Sequence, residues 1–132
     1  MGSQGTPCRI LVVDDDRMEN EIMSAFLSQL GTELEAECAL SIEEAIESIS
    51  VHRPDIVFLD NRIPPDIDFR NGYERIRKAG YDGAIIVHSV VTDDPVFEEA
   101  AALGVSRVVD KFHLRKDSLR ELVAAHCSGK PT

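Results

Sequence analysis

The chain has 132 residues, 43% hydrophobic and 29% charged, and carries a formal net charge of −10 at pH 7. That is one domain with little chain to spare for a second, long enough to bury a core without disulfides or a structural metal. No apolar run approaches the roughly 20 residues of a membrane helix, and the acidity argues against a nucleic-acid groove, which needs Lys and Arg. The charge is uneven: 13 acids against three arginines up to Asp60, then 11 acids against 11 basic residues from Asn61 onward. Solvated helix faces account for such an imbalance, and so does a cation site; composition leaves both open.

Cys8, Cys38 and Cys127 are an odd count without C-x-x-C spacing, which predicts a reduced, cytoplasmic protein rather than a disulfide framework. Cys38 falls in an expected strand and is read as core. Met1–Pro7 has neither the charged start nor the apolar stretch of a secretion signal. Residues 1–8 read as a disordered N-terminal segment or a cloning remnant, 9–127 as the domain, and 128–132 as a tail.

Arg9–Val13 is an aliphatic run suited to a strand buried on both faces, ending in Asp14-Asp15-Asp16. Met18, Ile22, Met23, Phe26, Leu27 and Leu30 then recur at helical spacing, with Gly31 as the stop. Glu33–Ala39 alternates like a strand with one wetter face. Ser41 opens a capping-box pattern before the stripe Ile42, Ala45, Ile46 and Ile49. After Arg53-Pro54-Asp55, the buried run Ile56–Leu59 ends at Asp60. A loop with Pro64, Pro65, Asp66, Asp68 and Asn71-Gly72 leads to a short helix over Tyr73–Ala79, stopped by Gly80. Ala84–Val87 ends at His88-Ser89. Asp94-Pro95 opens a helix with Val96, Ala100 and Leu103 inward. Val105–Val109 ends at Asp110-Lys111, and Leu114–His126 is the last helix, with Leu119, Leu122 and Val123 inward. Five alternating strand–helix units predict an α/β fold with a parallel sheet covered on both sides.

In such a sheet, ligands sit beyond the carboxyl ends of the strands, and those ends read Asp14-Asp15, Asp60, Ser89 and Lys111. Each alone has a plain structural use: an Asp after a strand caps a helix, and a Lys there is usually solvated. Gathered on one edge, the set points to chemistry. Crowded carboxylates repel unless a cation sits among them, and a hard cation such as Mg2+ takes one or two carboxylates and leaves room for phosphate oxygen. A carboxylate beside such an ion can attack phosphorus. A lysine and a hydroxyl suit the phosphoryl oxygens.

These pieces resemble the receiver domain of two-component response regulators: Ile10–Asp16, Pro54–Asp60, Pro64, Gly72, Ile85–Ser89, Gly104 and Val108–Lys111, covering Arg9 to His126. The resemblance implies a (βα)5 doubly wound, flavodoxin-like five-stranded parallel sheet of order 2-1-3-4-5. It implies Asp60 as phosphoacceptor, with Lys111 and Ser89 contacting the phosphoryl group. Mg2+ would be held by Asp14, Asp15, Asp60 and the backbone carbonyl of Arg62. Asp16 falls outside the acidic pair and reads as a helix cap.

Four features depart from the family pattern. The Pro64–Gly72 loop is about four residues longer than usual, read evenly as a partner-facing or site-covering loop and as a tolerated insertion. Val90 replaces a small residue after Ser89, so phosphoryl transfer or loss is expected to be slow. Val108 stands where the last strand usually has a switch aromatic, with Phe112 or Phe97 as substitutes. Phe112 follows Lys111 where a proline is usual, which disfavours a cis peptide there. The four histidines lack metal-ligand spacing, with His88 expected near the pocket, and Arg75, Arg77 and Lys78 read as a polar helix face.

The resemblance therefore implies a receiver, stand-alone in this chain, that takes a phosphoryl group from a histidine kinase or histidine phosphotransfer protein and switches binding to a separate output protein. It is expected to be a signalling domain with slow self-catalysed phosphorylation and dephosphorylation, not an enzyme, and to engage neither nucleic acid nor membrane. One rival is a receiver-like binding module with little or no phosphotransfer. The other is an Mg-dependent aspartyl phosphatase, disfavoured because Arg62 occupies the position its acid/base carboxylate would need.

Overall fold

The computed structural model describes residues 8–30, 34–89, 95–110 and 115–127. The order is β1 (Cys8–Val13), α1 (Arg17–Ser28), β2 (Leu34–Ala39), α2 (Ile42–Val51), β3 (Ile56–Asp60), α3 (Arg70–Lys78), β4 (Ala84–Ser89), α4 (Ala100–Leu103), β5 (Arg107–Asp110) and α5 (Lys116–Cys127). All four strand pairings are parallel and the sheet order is β2-β1-β3-β4-β5, the doubly wound flavodoxin-like arrangement expected from the sequence.

Strand alternation sorts the core into two layers. Leu11, Val13, Val57, Leu59, Ile85 and Val87 face one side, against Ile42, Ala45 and Ile49 of α2, Tyr73 and Ile76 of α3 and Ala100 of α4. Ile10, Val12, Ile56, Phe58 and Ile86 face the other, against Met23 and Leu27 of α1 and Leu119, Leu122 and Val123 of α5. β3 is buried along its whole length, which is why it reads as an unbroken apolar run.

The first two helices start where the sequence signals place them. The Asp16 side chain accepts hydrogen bonds from the backbone N–H of Met18 and Glu19, the cap expected of it. Ser41 caps α2 by accepting from Glu44 N, while Glu44 Oε1 accepts from Leu40 N at 3.0 Å. Gly104 takes φ +107° at the end of α4, a conformation that a Cβ disfavours.

Several expectations are corrected. Met18 (70% exposed), Ile22 and Leu103 are exposed, because only part of each apolar stripe reaches the sheet. Pro95–Glu99 is a 3-10 turn leading into a four-residue α4, so the expected single helix is split. α3 starts at Arg70, three residues early, on the capping residue Phe69. β5 runs Arg107–Asp110 rather than Val105–Val109. Arg77 is not a solvated face residue: its guanidinium donates to the carbonyls of Tyr81 and Gly83 and to the Tyr73 hydroxyl, which donates to Leu103 O at 2.6 Å. Cys38 does lie in β2, but it is exposed, with Sγ 3.1 Å from Ser24 Oγ. Gly31, Asp94 and Leu114 lie outside the described residues.

The cysteines differ from the expected absence of a pair. Cys8 and Cys127, 119 residues apart, form a disulfide with Cα atoms 6.0 Å apart. Spacing could not reveal this, because the pair forms only once α5 packs beside β1 in the same core layer. Under oxidising conditions the denatured chain is expected to titrate one thiol without reductant and three with it. Cys8→Ser should lower stability by about 2–5 kcal/mol. Three reactive thiols without reductant would contradict the pairing.

Candidate functional site

The carboxyl ends of β1, β3 and β4 lie side by side. Val13 pairs with Leu59, Leu59 with Val87, and Asp60 with His88. Asp14, Asp60 and His88 each follow by two residues a side chain of the α1/α5 layer, namely Val12, Phe58 and Ile86, so alternation turns all three to that side. They are buried at 1%, 8% and 2% exposure. One potential ligand atom from each, a carboxylate oxygen from each aspartate and a ring nitrogen from His88, lies within 4.8 Å of the other two.

The backbone around this group is pinned. Asp14 N donates to Ala39 O at 3.0 Å and Asp14 Oδ1 accepts from Asp16 N at 2.9 Å. The Asn20 side chain, buried on α1, donates to Asp14 O at 2.7 Å. Asn61 N donates to His88 O at 3.0 Å, and the His88 ring meets Phe58 edge-on at 6.3 Å.

The other expected site residues fall around this group. Asp15 is exposed on the loop into α1 and is not part of the cluster. Arg62 is exposed just past β3. Ser89 is buried at the end of β4, and alternation turns it to the opposite sheet face from His88. Lys111, Val90 and Phe112 lie outside the described residues. Two close buried carboxylates with a nitrogen donor beside them fit a divalent cation, which takes such donors readily.

Sequence reasoning placed His88 near the pocket but not in the cluster. The signal was present: Val12–Asp14, Phe58–Asp60 and Ile86–His88 are three i, i+2 steps in the same parity. The roles of Asn20 and Asn61 had no such signal, because each depends on a backbone partner brought close by the fold.

The long loop after β3 is anchored, not free. Asn61 Oδ1 accepts from Phe69 N at 3.1 Å. Phe69 is buried and stacks on Phe97 with ring centroids 6.2 Å apart. Arg70 pairs with Asp68 and reaches Glu99 at 3.6 Å, and its hydrogen bond holds the Asp68 carboxyl below its usual pKa. Ile67 stays 79% exposed. Val108 packs, partly buried, against the same core layer as Phe97.

The geometry defines a doubly wound α/β domain with an acidic pocket at the strand ends. The family model for the response regulator receiver domain matches residues 10–124, and the chain belongs to that family. It is 36% identical over 118 residues to the response regulator MprA of Mycolicibacterium vanbaalenii, an alignment covering 89% of this chain and 48% of that protein. The chain thus spans about half the length of this curated relative. A two-component response regulator from Clostridium difficile superposes with TM-score 0.79 at 22% identity, covering 92% of this chain and 97% of that one. The chemotaxis protein CheY4 of Vibrio cholerae superposes with TM-score 0.77 at 20% identity, covering 91% and 98%; at these identities the likeness is one of fold.

Among the described residues no helix is long and apolar enough to cross a membrane.

Phe69→Ala is expected to lower stability in urea unfolding by about 3–5 kcal/mol, as for other buried aromatics. Ile67→Ala should stay within about 0.5 kcal/mol. Equal effects would show that Phe69 is not the anchor.

Proposed function

We propose that Asp60 accepts a phosphoryl group from a phosphohistidine on a histidine kinase or histidine phosphotransfer protein. The observation that carries this reading is the burial of Asp60 against Asp14 at the end of β3, in a chain of the receiver family. An Asp60 carboxylate oxygen attacks phosphorus, the P–N bond to the donor imidazole breaks, and that nitrogen leaves with the bonding pair and is protonated. The product is an acyl phosphate on Asp60. Mg2+, held by Asp14, Asp15, Asp60 and the Arg62 carbonyl, would neutralise charge on the phosphoryl oxygens. Asp15 reaches such an ion by turning inward from its exposed loop. Ser89, at the end of β4 and turned to the other sheet face, would have to swing toward Asp60 to donate a hydrogen bond to one phosphoryl oxygen, and Lys111 would pair with another.

The consequence is a change of surface. Asn61, next to the acceptor, holds Phe69, and Phe69 touches Phe97 ahead of α4. Movement at Asp60 is thereby passed to the α4–β5 side, where an output partner or domain would read it. The equilibrium shifts only by the difference in phosphoryl contacts between the two states. The reaction belongs in the cytoplasm, where a histidine kinase has its nucleotide.

The test is incorporation of phosphoryl from acetyl phosphate with Mg2+, read on a phosphate-affinity gel. Wild type should be labelled, and Asp60→Asn or omission of Mg2+ should reduce label by about 100-fold or more. Label that persists in Asp60→Asn would refute the assignment. A folded wild type that takes none would favour the binding-module reading.

A further inference from the structure

We propose that the pocket of Asp14, Asp60 and His88 takes a divalent transition-metal ion of the zinc class, with the His88 imidazole as a nitrogen ligand. The inference rests on reading this pocket as the cation site and extends it to the kind of ion held. A pocket for Mg2+ is made of oxygens, because Mg2+ is hard and keeps its waters. An imidazole nitrogen suits Zn2+, Ni2+, Cu2+ and Fe2+ instead. Two carboxylates and one histidine are three protein ligands with a coordination position left open, as in zinc sites that bind an exchangeable group.

The placement of His88 is set by the fold. It lies across from Asp60 in the parallel register of β3 and β4. Its carbonyl is held by Asn61 N, and its ring is set edge-on against Phe58. The three donor atoms lie within 4.8 Å of one another. Bonds of about 2.0–2.2 Å put donors about 3–4 Å apart around one ion, so modest side-chain rotations close the set. The ligands come from three adjacent strands, which keeps them in place.

Such an ion occupies the pocket that the phosphoryl reaction needs for Mg2+. It would therefore hold the domain unphosphorylated while bound, making the acceptor responsive to transition-metal supply.

The experiment titrates Zn2+ and Mg2+ by calorimetry into the Cys38→Ser chain, which removes the exposed thiol as a competing ligand, with and without His88→Val. Zn2+ is expected to bind about 100-fold more tightly than Mg2+. His88→Val should weaken Zn2+ by about tenfold or more and leave Mg2+ within about twofold. Nitrogen NMR of the imidazoles in the chain that retains His88 needs no histidine variant: saturating Zn2+ should move the His88 signal and Mg2+ should leave it. Zn2+ affinity unchanged in a folded His88→Val chain, or a His88 signal indifferent to Zn2+, would overturn the proposal. The phosphoacceptor reading is scored separately by acetyl phosphate labelling with Mg2+. A chain that binds Zn2+ through His88 but takes no label upholds this inference and overturns that reading. A labelled chain whose Zn2+ affinity ignores His88 does the reverse.

Discussion

Everything at the site depends on one constraint, the two-residue alternation of side chains along three adjacent strands buried on both faces. The parallel register aligns Val13, Leu59 and Val87 in one row. The next row must then hold Asp14, Asp60 and His88, turned together toward the α1/α5 layer. A one-residue slip of β3 would send Asp60 to the other face and bring Leu59 or Asn61 into its place. The apolar runs before these residues are therefore part of the site: their burial against helices on both faces fixes the register, and the register delivers the polar groups.

The same edge is connected to the surface. From Asp60 the chain passes through Asn61 to Phe69, and Phe69 meets Phe97 across the gap between α3 and the turn before α4. Arg70 reaching Glu99 and Tyr73 bonding to the Leu103 carbonyl tie the same two segments together. The loop after β3 thus supplies packed contacts between the pocket and the turn before α4. Phe97 and Val108 pack, partly buried, against the same core layer. A densely packed route of this kind favours discrete arrangements over gradual deformation.

Much of this was legible in the sequence. Buried parallel strands announce themselves as apolar runs, and Asp16 and Ser41 mark helix starts through local hydrogen bonds, so element order and both caps could be read from the residues, while the sheet order came only with the resemblance to the receiver family. Asp14, Asp60 and Ser89 could be placed because each ends such a run. What could not be read depends on distant contacts. Met18 and Ile22 satisfy helical periodicity, yet the sheet covers only part of that face. Cys8 and Cys127 look unrelated until α5 closes against β1. Arg77 resembles any basic surface residue until the Tyr81 and Gly83 carbonyls meet it. His88 carries no local motif, and only the register of β4 against β3 brings it to the carboxylates.

Two carboxylates and an imidazole brought together at the strand ends offer a divalent cation its donors. The account's central claim is that this pocket is built around Asp60 to receive such an ion. Thermal unfolding with and without Mg2+ tests it most directly, since an ion bound only by the folded state raises Tm. The account predicts that Mg2+ raises the Tm of wild type. It also predicts that Asp60→Asn removes most of the response to Mg2+. A Mg2+ response left intact in a folded Asp60→Asn chain would contradict it.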